Sequence, residues 1–392
     1  MDFALPETAL AVQEGVRAIG ARYDHDYWSR MEEEHRFPWE VWKDLAAGGW
    51  LGLTVPDEYG GGGQGMLELA MACETLAASG GTGGTFLYIL TPGFGATTLT
   101  RHGSVEQKAR LLPGLATGDL QFCMALTEPD AGSDALSIRT HAVRDGSDFV
   151  LNGQKVWISG LENADWMIAI TRTVPAADAR PRTSGFTLFL VDVKEAVDAG
   201  TLRYTPIPKM GSNIVTSSQV FLDDVRVPAE NVLGQVDAGF AVLWDVLNPE
   251  RILAAAGGVG GADAALDVAV RYACEREVFG RPIGANQGIQ FPLAQIKAKT
   301  ELGRLMTYKA AWLFDRGLPC QAETSIAKLT GAQVGWEAAE QAFQTFGGMA
   351  YSKEYPVERL FRDARIARNI PVAEELVLAH IGTQVLGLPR SY

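Results

Sequence analysis

The chain has 392 residues, 47% of them hydrophobic and 21% charged, and carries a net charge of -13 at pH 7. That length accommodates two or three domains of ordinary size, and the composition excludes a disordered or fibrous protein. The acidic excess argues against sequence-independent binding to nucleic-acid phosphates, and no run of about 18 consecutive apolar residues marks a membrane span.

Four cysteines (Cys73, Cys123, Cys274 and Cys320) lack CxxC spacing, and the five histidines show no HxxxH or HxH pattern. Reduced thiols and no metal site are therefore expected. Acidic residues stand where a secretory signal would carry lysines and arginines, so the expected location is cytoplasmic.

Apolar residues at three and four spacing predict an α-helical domain over residues 1-120, as in LAVQEGVRAIGARY, WEVWKDLAAGGW and MLELAMACETLAAS. The run Tyr59-Gly60-Gly61-Gly62-Gly63 lacks the Lys-Ser/Thr and the preceding strand of a phosphate loop, and reads as a flexible connector. Over residues 121-235 the period changes to two. FVLNGQKVWIS, WMIAITRT, GFTLFLVDV, LRYTPI and SSQVFLDDVRV predict strands, broken by turns such as Asp145-Gly146 and Asn152-Gly153. They are expected to close into a barrel or sandwich. Helical periodicity returns over residues 236-392 and predicts an antiparallel bundle. The expected fold class is α+β, with the order α, β, α.

Two stretches carry chemistry. Ala125-Leu126-Thr127-Glu128-Pro129-Asp130-Ala131-Gly132-Ser133-Asp134 reads as a short strand entering a turn. Such a turn exposes backbone N-H groups and hydroxyls able to hold a polar ring or a phosphate, though a bland turn has the same sequence. In Asn152-Gly153-Gln154-Lys155-Val156-Trp157-Ile158-Ser159-Gly160, strand alternation predicts Lys155, Trp157 and Ser159 on one face. A packed core indole is the plainer reading of Trp157.

Taken together and in this order, the two motifs resemble the hallmarks TEPxAGSD and NGxKxWI(T/S) of the acyl-CoA dehydrogenase family. The segments Arg276-Glu277-Val278-Phe279-Gly280, Gln344-Thr345-Phe346-Gly347-Gly348 and Tyr355-Pro356-Val357-Glu358-Arg359-Leu360-Phe361-Arg362-Asp363-Ala364-Arg365 extend the resemblance over nearly the whole chain. It implies an N-terminal α-helical domain, a middle β-barrel and a C-terminal four-helix bundle. It also implies an FAD flavoprotein, an oxidoreductase of fatty acid metabolism and beta-oxidation that takes an α-proton and a β-hydride from an acyl-CoA to leave a trans-2-enoyl-CoA.

By the same resemblance, Leu126 and Thr127 would bond the flavin's pyrimidine edge, with Gly132 and Ser133 near the pyrophosphate and Ser133 also near the thioester. Trp157 would lie against the isoalloxazine, and the Ser159 hydroxyl would reach N5. Arg276, Phe279, Gln287, Gln344, Gly347 and Gly348 would come from a neighbouring subunit to clasp the FAD phosphates and adenine. A homo-oligomer, tetramer or dimer, is therefore implied, as is an electron-transferring flavoprotein as electron acceptor.

Removing the α-proton needs a carboxylate whose pKa is raised by a dry cavity. Many relatives carry it on the loop after the Arg-Asp-Ala-Arg helix, where this chain has Pro371, which cannot act as a base. A subgroup that includes the isovaleryl-CoA and long-chain enzymes carries it immediately before an arginine, and the match here is Glu250 in Asn248-Pro249-Glu250-Arg251. That segment reads as a helix start with Asn248 as its cap, so the helix dipole is expected to oppose desolvation at Glu250. Asn248 and Arg251 are expected beside the substrate, and Glu374 and Glu375 are the reserve bases. Asn213 stands where many relatives have arginine, so acyl-chain or CoA recognition is expected to differ there. The competing readings are an enoyl-CoA reductase, a flavin monooxygenase and a catalytically silent flavin-binding protein.

Overall fold

The computed structural model describes residues 4-390. Helices α1 (Glu7–Gly20), α2 (His25–Glu33), α3 (Trp39–Ala47), α4 (Met66–Ala78), α5 (Thr85–Tyr88), α6 (Thr97–His102) and α7 (Val105–Thr117) come first. Ser104 starts α7 with a capping box, its hydroxyl accepting from the Gln107 amide while the Gln107 side chain accepts from the Ser104 amide. Between α5 and α6 the backbone widens into a π-helical stretch, Ile89–Ala96, around Pro92. The glycine run after Tyr59 is a connector but not a loose one. The amides of Gly62, Gly63 and Gln64 donate to the carbonyls of Gly52, Val55 and Leu53.

Strands β1 (Phe122–Ala125), β2 (His141–Asp145), β3 (Asp148–Ser159), β4 (Trp166–Arg172) and β5 (Phe186–Asp192) follow, then the short helix α8 (Val193–Asp198). Strands β6 (Leu202–Pro206), β7 (Ser217–Pro228) and β8 (Val232–Leu233) complete the region. They form one eight-stranded sheet in the order β6-β7-β3-β2-β4-β5-β8, with β1 added beside β4 and with β6 and β8 at its two ends. The Asp145-Gly146 turn joins β2 to β3. Asn152-Gly153, expected as a turn, lies instead inside β3. There the extra residue falls on β7, where Asp224 sits at φ 56 and its amide donates to the Asn152 side chain. A local bulge absorbs the turn-forming pair without ending the strand.

Helix α9 (Gly239–Glu275) runs for 37 residues. A hairpin of β9 (Glu277–Val278) and β10 (Arg281–Pro282) leads into α10 (Gln287–Asp315), α11 (Gln321–Phe346), α12 (Val357–Ile366) and α13 (Glu374–His380). Apolar composition and length would let α9 cross a membrane, but 72% of its most apolar window is buried inside the protein. Its glycines explain the packing: a Cβ on Gly258 would lie 2.3 Å from the Gly331 carbonyl of α11. Backbone-to-backbone contact of this kind fixes the register of the two helices.

Three elements meet at a buried polar knot. Glu32 of α2 accepts from the Asn213 amide at 2.6 Å, from the Asn213 side chain at 2.8 Å and from Arg362 of α12 at 3.0 Å. Next to it, Asp363 accepts from the Ser212 amide at 2.8 Å and from Thr82 at 2.8 Å. Asn213, which stands where many relatives have arginine, is thus a joint between the helical and sheet parts.

Candidate active site

The Thr127 turn is docked on β3 by three bonds. Lys155 Nζ donates to the Leu126 carbonyl and to Glu128 Oε1, both at 2.9 Å, and the Val156 amide donates to the Thr127 carbonyl at 2.9 Å. Glu128 also accepts from the amides of Arg139 and Thr140. Burial pushes the Lys155 ammonium down to about 8. For Glu128 burial acts upward, but Lys155 and the hydrogen bonds outweigh it and hold the carboxyl below its usual range. The pair is therefore ionic, and it joins the two sequence motifs.

Beyond Lys155 the expected alternation fails. β3 carries one extra residue between Lys155 and Ile158 relative to β7. Trp157 takes a left-handed backbone, φ 64, and its indole is 56% exposed, while Lys155 is fully buried. Lys155 and Trp157 thus leave the strand on different sides, because the bulge breaks the period of two. A left-handed non-glycine residue costs about 1 kcal/mol or more, and here that strain turns a large flat ring outward, against the reading of Trp157 as core. Ser159 is half-buried, its hydroxyl 2.9 Å from that of Ser217.

Gly132 and Ser133 are exposed, and a Cβ at Gly132 would meet nothing within 4 Å. Open backbone at a Gly-Ser turn, a projecting indole and a hydroxyl on one strand fit a flat ring system carrying phosphates.

The candidate base lies across a thin wall from this strand. A Cβ at Gly160 would come 2.6 Å from Leu90, and one at Gly93 would come 2.8 Å from Leu253. The π-helical stretch between α5 and α6 therefore separates the end of β3 from the face of α9 that bears Leu253 and, three residues earlier, Glu250. Nothing in the periodicity of ILTPGFGA announces that role beyond its Pro and Gly content.

Glu250 is the twelfth residue of α9, so the Asn248-Pro249 helix start predicted from the sequence is corrected: the helix begins at Gly239. The dipole argument falls with it, since that effect fades within the first turn. Desolvation prevails. Burial pushes the Glu250 carboxyl up to about 8, against the opposing charges of Arg251 and Lys328. Lys328, fully buried on α11, is itself pushed down to about 8 by burial, and it donates to the Val372 carbonyl at 2.6 Å. Sequence reasoning missed it, although a lysine amid the small and apolar residues of SIAKLTGA is an available signal.

Arg251 is buried, its guanidinium 5.9 Å from the Trp244 ring centroid and its Nε without a partner among the described residues. Asn248 accepts from Thr324 of α11 at 3.2 Å through its side-chain oxygen, which ties the two helices together. Trp244, Gln321, His380 and Arg390 line an open groove of about 700 Å³ on the Arg251 side of α9. Glu374 is spent: it accepts from Arg368 at 2.6 Å and Gln333 at 2.6 Å, and the Arg368 bond holds its carboxyl below the usual range. Glu375 is exposed on α13.

The remaining expected cofactor residues gather elsewhere. Arg276, Phe279, Gln287, Gln344, Gly347 and Gly348 are all exposed at the far end of the bundle. There Tyr272 stacks on Phe346 with centroids 3.9 Å apart, bringing the ends of α9 and α11 together. Phe279, at the hairpin tip, is 100% exposed. At 1.5 Å per residue this group lies about 39 Å along α9 from Glu250.

A sheet domain between helical domains, with an outward indole on β3 and, beyond the Ile89–Ala96 wall, a largely desolvated carboxyl on α9, fits a flavin-dependent oxidoreductase. Family models for the acyl-CoA dehydrogenase N-terminal, middle and C-terminal domains match residues 6–119, 123–225 and 237–386. The chain is 41% identical over 392 residues to acyl-CoA dehydrogenase FadE12 of Mycobacterium tuberculosis, covering 100% of this chain and 99% of that one. It superposes on a glutaryl-coenzyme A dehydrogenase in complex with glutaryl-CoA at TM-score 0.94 and 31% identity, covering 100% and 98% of the two chains. A FAD complex of PigA matches at TM-score 0.91 and 28% identity, covering 99% and 100%. The chain belongs to the acyl-CoA dehydrogenase family, enzymes that oxidise acyl-CoA with FAD.

Proposed function

We propose that Glu250 removes the α-proton of an acyl-CoA and that the product is the trans-2-enoyl-CoA. The observation that carries this reading is the raised Glu250 carboxyl on α9, one wall away from the Trp157 bulge. A base near its operating pH transfers protons most effectively. No rival serves as well: Pro371 has no ionisable group, and Glu374 is held by Arg368 and Gln333. Bound FAD supplies the acceptor for the β-hydride. Trp157 would cover one face of the ring, Ser159 would orient it, and the Leu126-Thr127 turn would hold its polar edge, with Gly132 and Ser133 toward the phosphates. Arg251 and Lys328 temper negative charge beside the base. The groove along Trp244 and Arg390 receives the carrier end of the thioester.

The Arg276-Phe279-Gln287 and Gln344-Gly347-Gly348 set serves the site of a neighbouring subunit. Its distance of about 39 Å from Glu250 along α9 and the full exposure of Phe279 support a homo-oligomer, a tetramer or a dimer. Electrons leave to an electron-transferring flavoprotein. The test is a panel of acyl-CoAs from short straight chains to sterol side-chain analogues, added anaerobically to the holoenzyme. Rapid bleaching of the yellow absorbance with one class identifies the substrate, and no bleaching with any would refute the proposal.

A further inference from the structure

One of three hydrogen bonds donated by a single lysine ends at the hydroxyl pair on β3 and β7. Lys209 Nζ donates to the Ser212 carbonyl at 3.0 Å, to the Val215 carbonyl at 2.7 Å and to Ser217 Oγ at 3.1 Å. Ser217 Oγ is in turn 2.9 Å from Ser159 Oγ. An ammonium has donors and no acceptor, so the direction of the first bond is fixed. Ser217 is buried and has no other recorded side-chain acceptor among the described residues, so its own hydrogen is satisfied only by donating to Ser159. That leaves the Ser159 hydrogen free to point away from the sheet, on the strand end that carries the outward Trp157.

We propose that Lys209 is a positioning residue which, through Ser217, fixes the Ser159 hydroxyl as a donor toward the flavin. This rests on the placement of the flavin against Trp157 and Ser159 proposed above. A hydroxyl free to rotate offers its hydrogen or its lone pairs to the ring, whereas one that already accepts from Ser217 has its hydrogen turned away from that partner and available to donate. Preorganised donors of this kind need no rearrangement when charge develops on the partner, and bonds in a chain polarise one another in the same sense. Lys209 also ties down the Ser212-Val215 turn that joins Glu32 and Asp363, so its removal alone has structural effects. Ser217→Ala cuts the relay and leaves the two backbone contacts of Lys209 in place.

The experiment compares the holoenzyme with Ser217→Ala, Lys209→Met and the double variant. The readouts are the flavin visible spectrum, its midpoint potential, and kcat against KM for the best acyl-CoA of the panel. We expect Ser217→Ala to stay folded with a slightly lowered unfolding temperature, to keep its FAD content, to alter the visible spectrum, and to shift the potential to more negative values. Its kcat should fall by up to about tenfold, the worth of one hydrogen bond, with KM unchanged. Lys209→Met should shift spectrum and potential in the same direction, and the double variant should shift no further than the larger single change. An unchanged spectrum and potential in Ser217→Ala, or additive shifts in the double variant, would overturn the relay. Ser159→Ala separates the two layers of argument. If that variant too leaves the spectrum unchanged, the placement of the flavin has failed; if it alone shifts the spectrum, the relay has failed.

Discussion

Replacing Glu250 by glutamine isolates the one ionisation on which the chemistry turns, and its effect on stability has a definite sign. Burial moves the carboxyl from 4.5 to about 8. The folded chain therefore holds its proton through the window from about pH 4.5 to 8 while the unfolded chain releases it. The stability this group contributes is complete below the lower limit and is lost as pH rises toward the upper one. That move corresponds to about 5 kcal/mol, at about 1.36 kcal/mol for each tenfold change in proton affinity. The carboxyl keeps some contact with solvent, which reduces the expected size to about 2 to 4 kcal/mol. Glutamine has nearly the same shape and no charge, so Glu250→Gln should match the parent in chemical unfolding near pH 5 and exceed it by that amount near pH 9. An equal difference at both pH values would show that the carboxyl is not desolvated, and the assignment of the base would lose its physical ground.

Other expectations follow from the geometry. Trp157→Gly relieves a left-handed backbone at φ 64, so the apoprotein should gain about 1 kcal/mol in thermal unfolding while FAD titration shows weaker binding; unchanged FAD affinity would mean that the indole does not touch the cofactor. Asn213→Ala strips the side-chain donor from buried Glu32 and keeps the backbone one; it should lower stability by about 1 to 3 kcal/mol with KM for acyl-CoA unchanged, and a raised KM would place Asn213 in substrate recognition. Gly258→Ala drives a methyl to 2.3 Å from the Gly331 carbonyl and should destabilise by about 1 to 3 kcal/mol, read from the denaturant midpoint. In the parent enzyme kcat/KM should climb about tenfold per pH unit until about pH 8, as the Glu250 carboxyl ionises, and a flat profile would contradict that.

Much of the fold was legible because periodicity reports burial directly. FVLNGQKVWIS and SSQVFLDDVRV are β3 and β7 almost residue for residue, since alternating side chains there face a core on one side. The start of α9 was misread because Asn-Pro is an ordinary helix opening, and only packing against α4 and α11 shows that the helix passes through it. The bulge at Trp157 was equally hidden, because an extra residue in one strand is defined by its partner strand and leaves no mark in local pattern. Glu250 as candidate base rests on the resemblance and not on periodicity. Lys328 and the π-helical wall escaped because each acts on groups distant in the chain, and Lys209 because its link to Ser159 passes through the pairing of β7 with β3.

The central claim, that Glu250 takes the α-proton, is tested most directly by anaerobic single-turnover mixing of FAD-loaded Glu250→Gln with the acyl-CoA that bleaches the parent fastest. The variant should retain its FAD and bind the thioester, yet bleach slower by about a thousandfold. Bleaching at the parent's rate would contradict the claim and move the base to another residue.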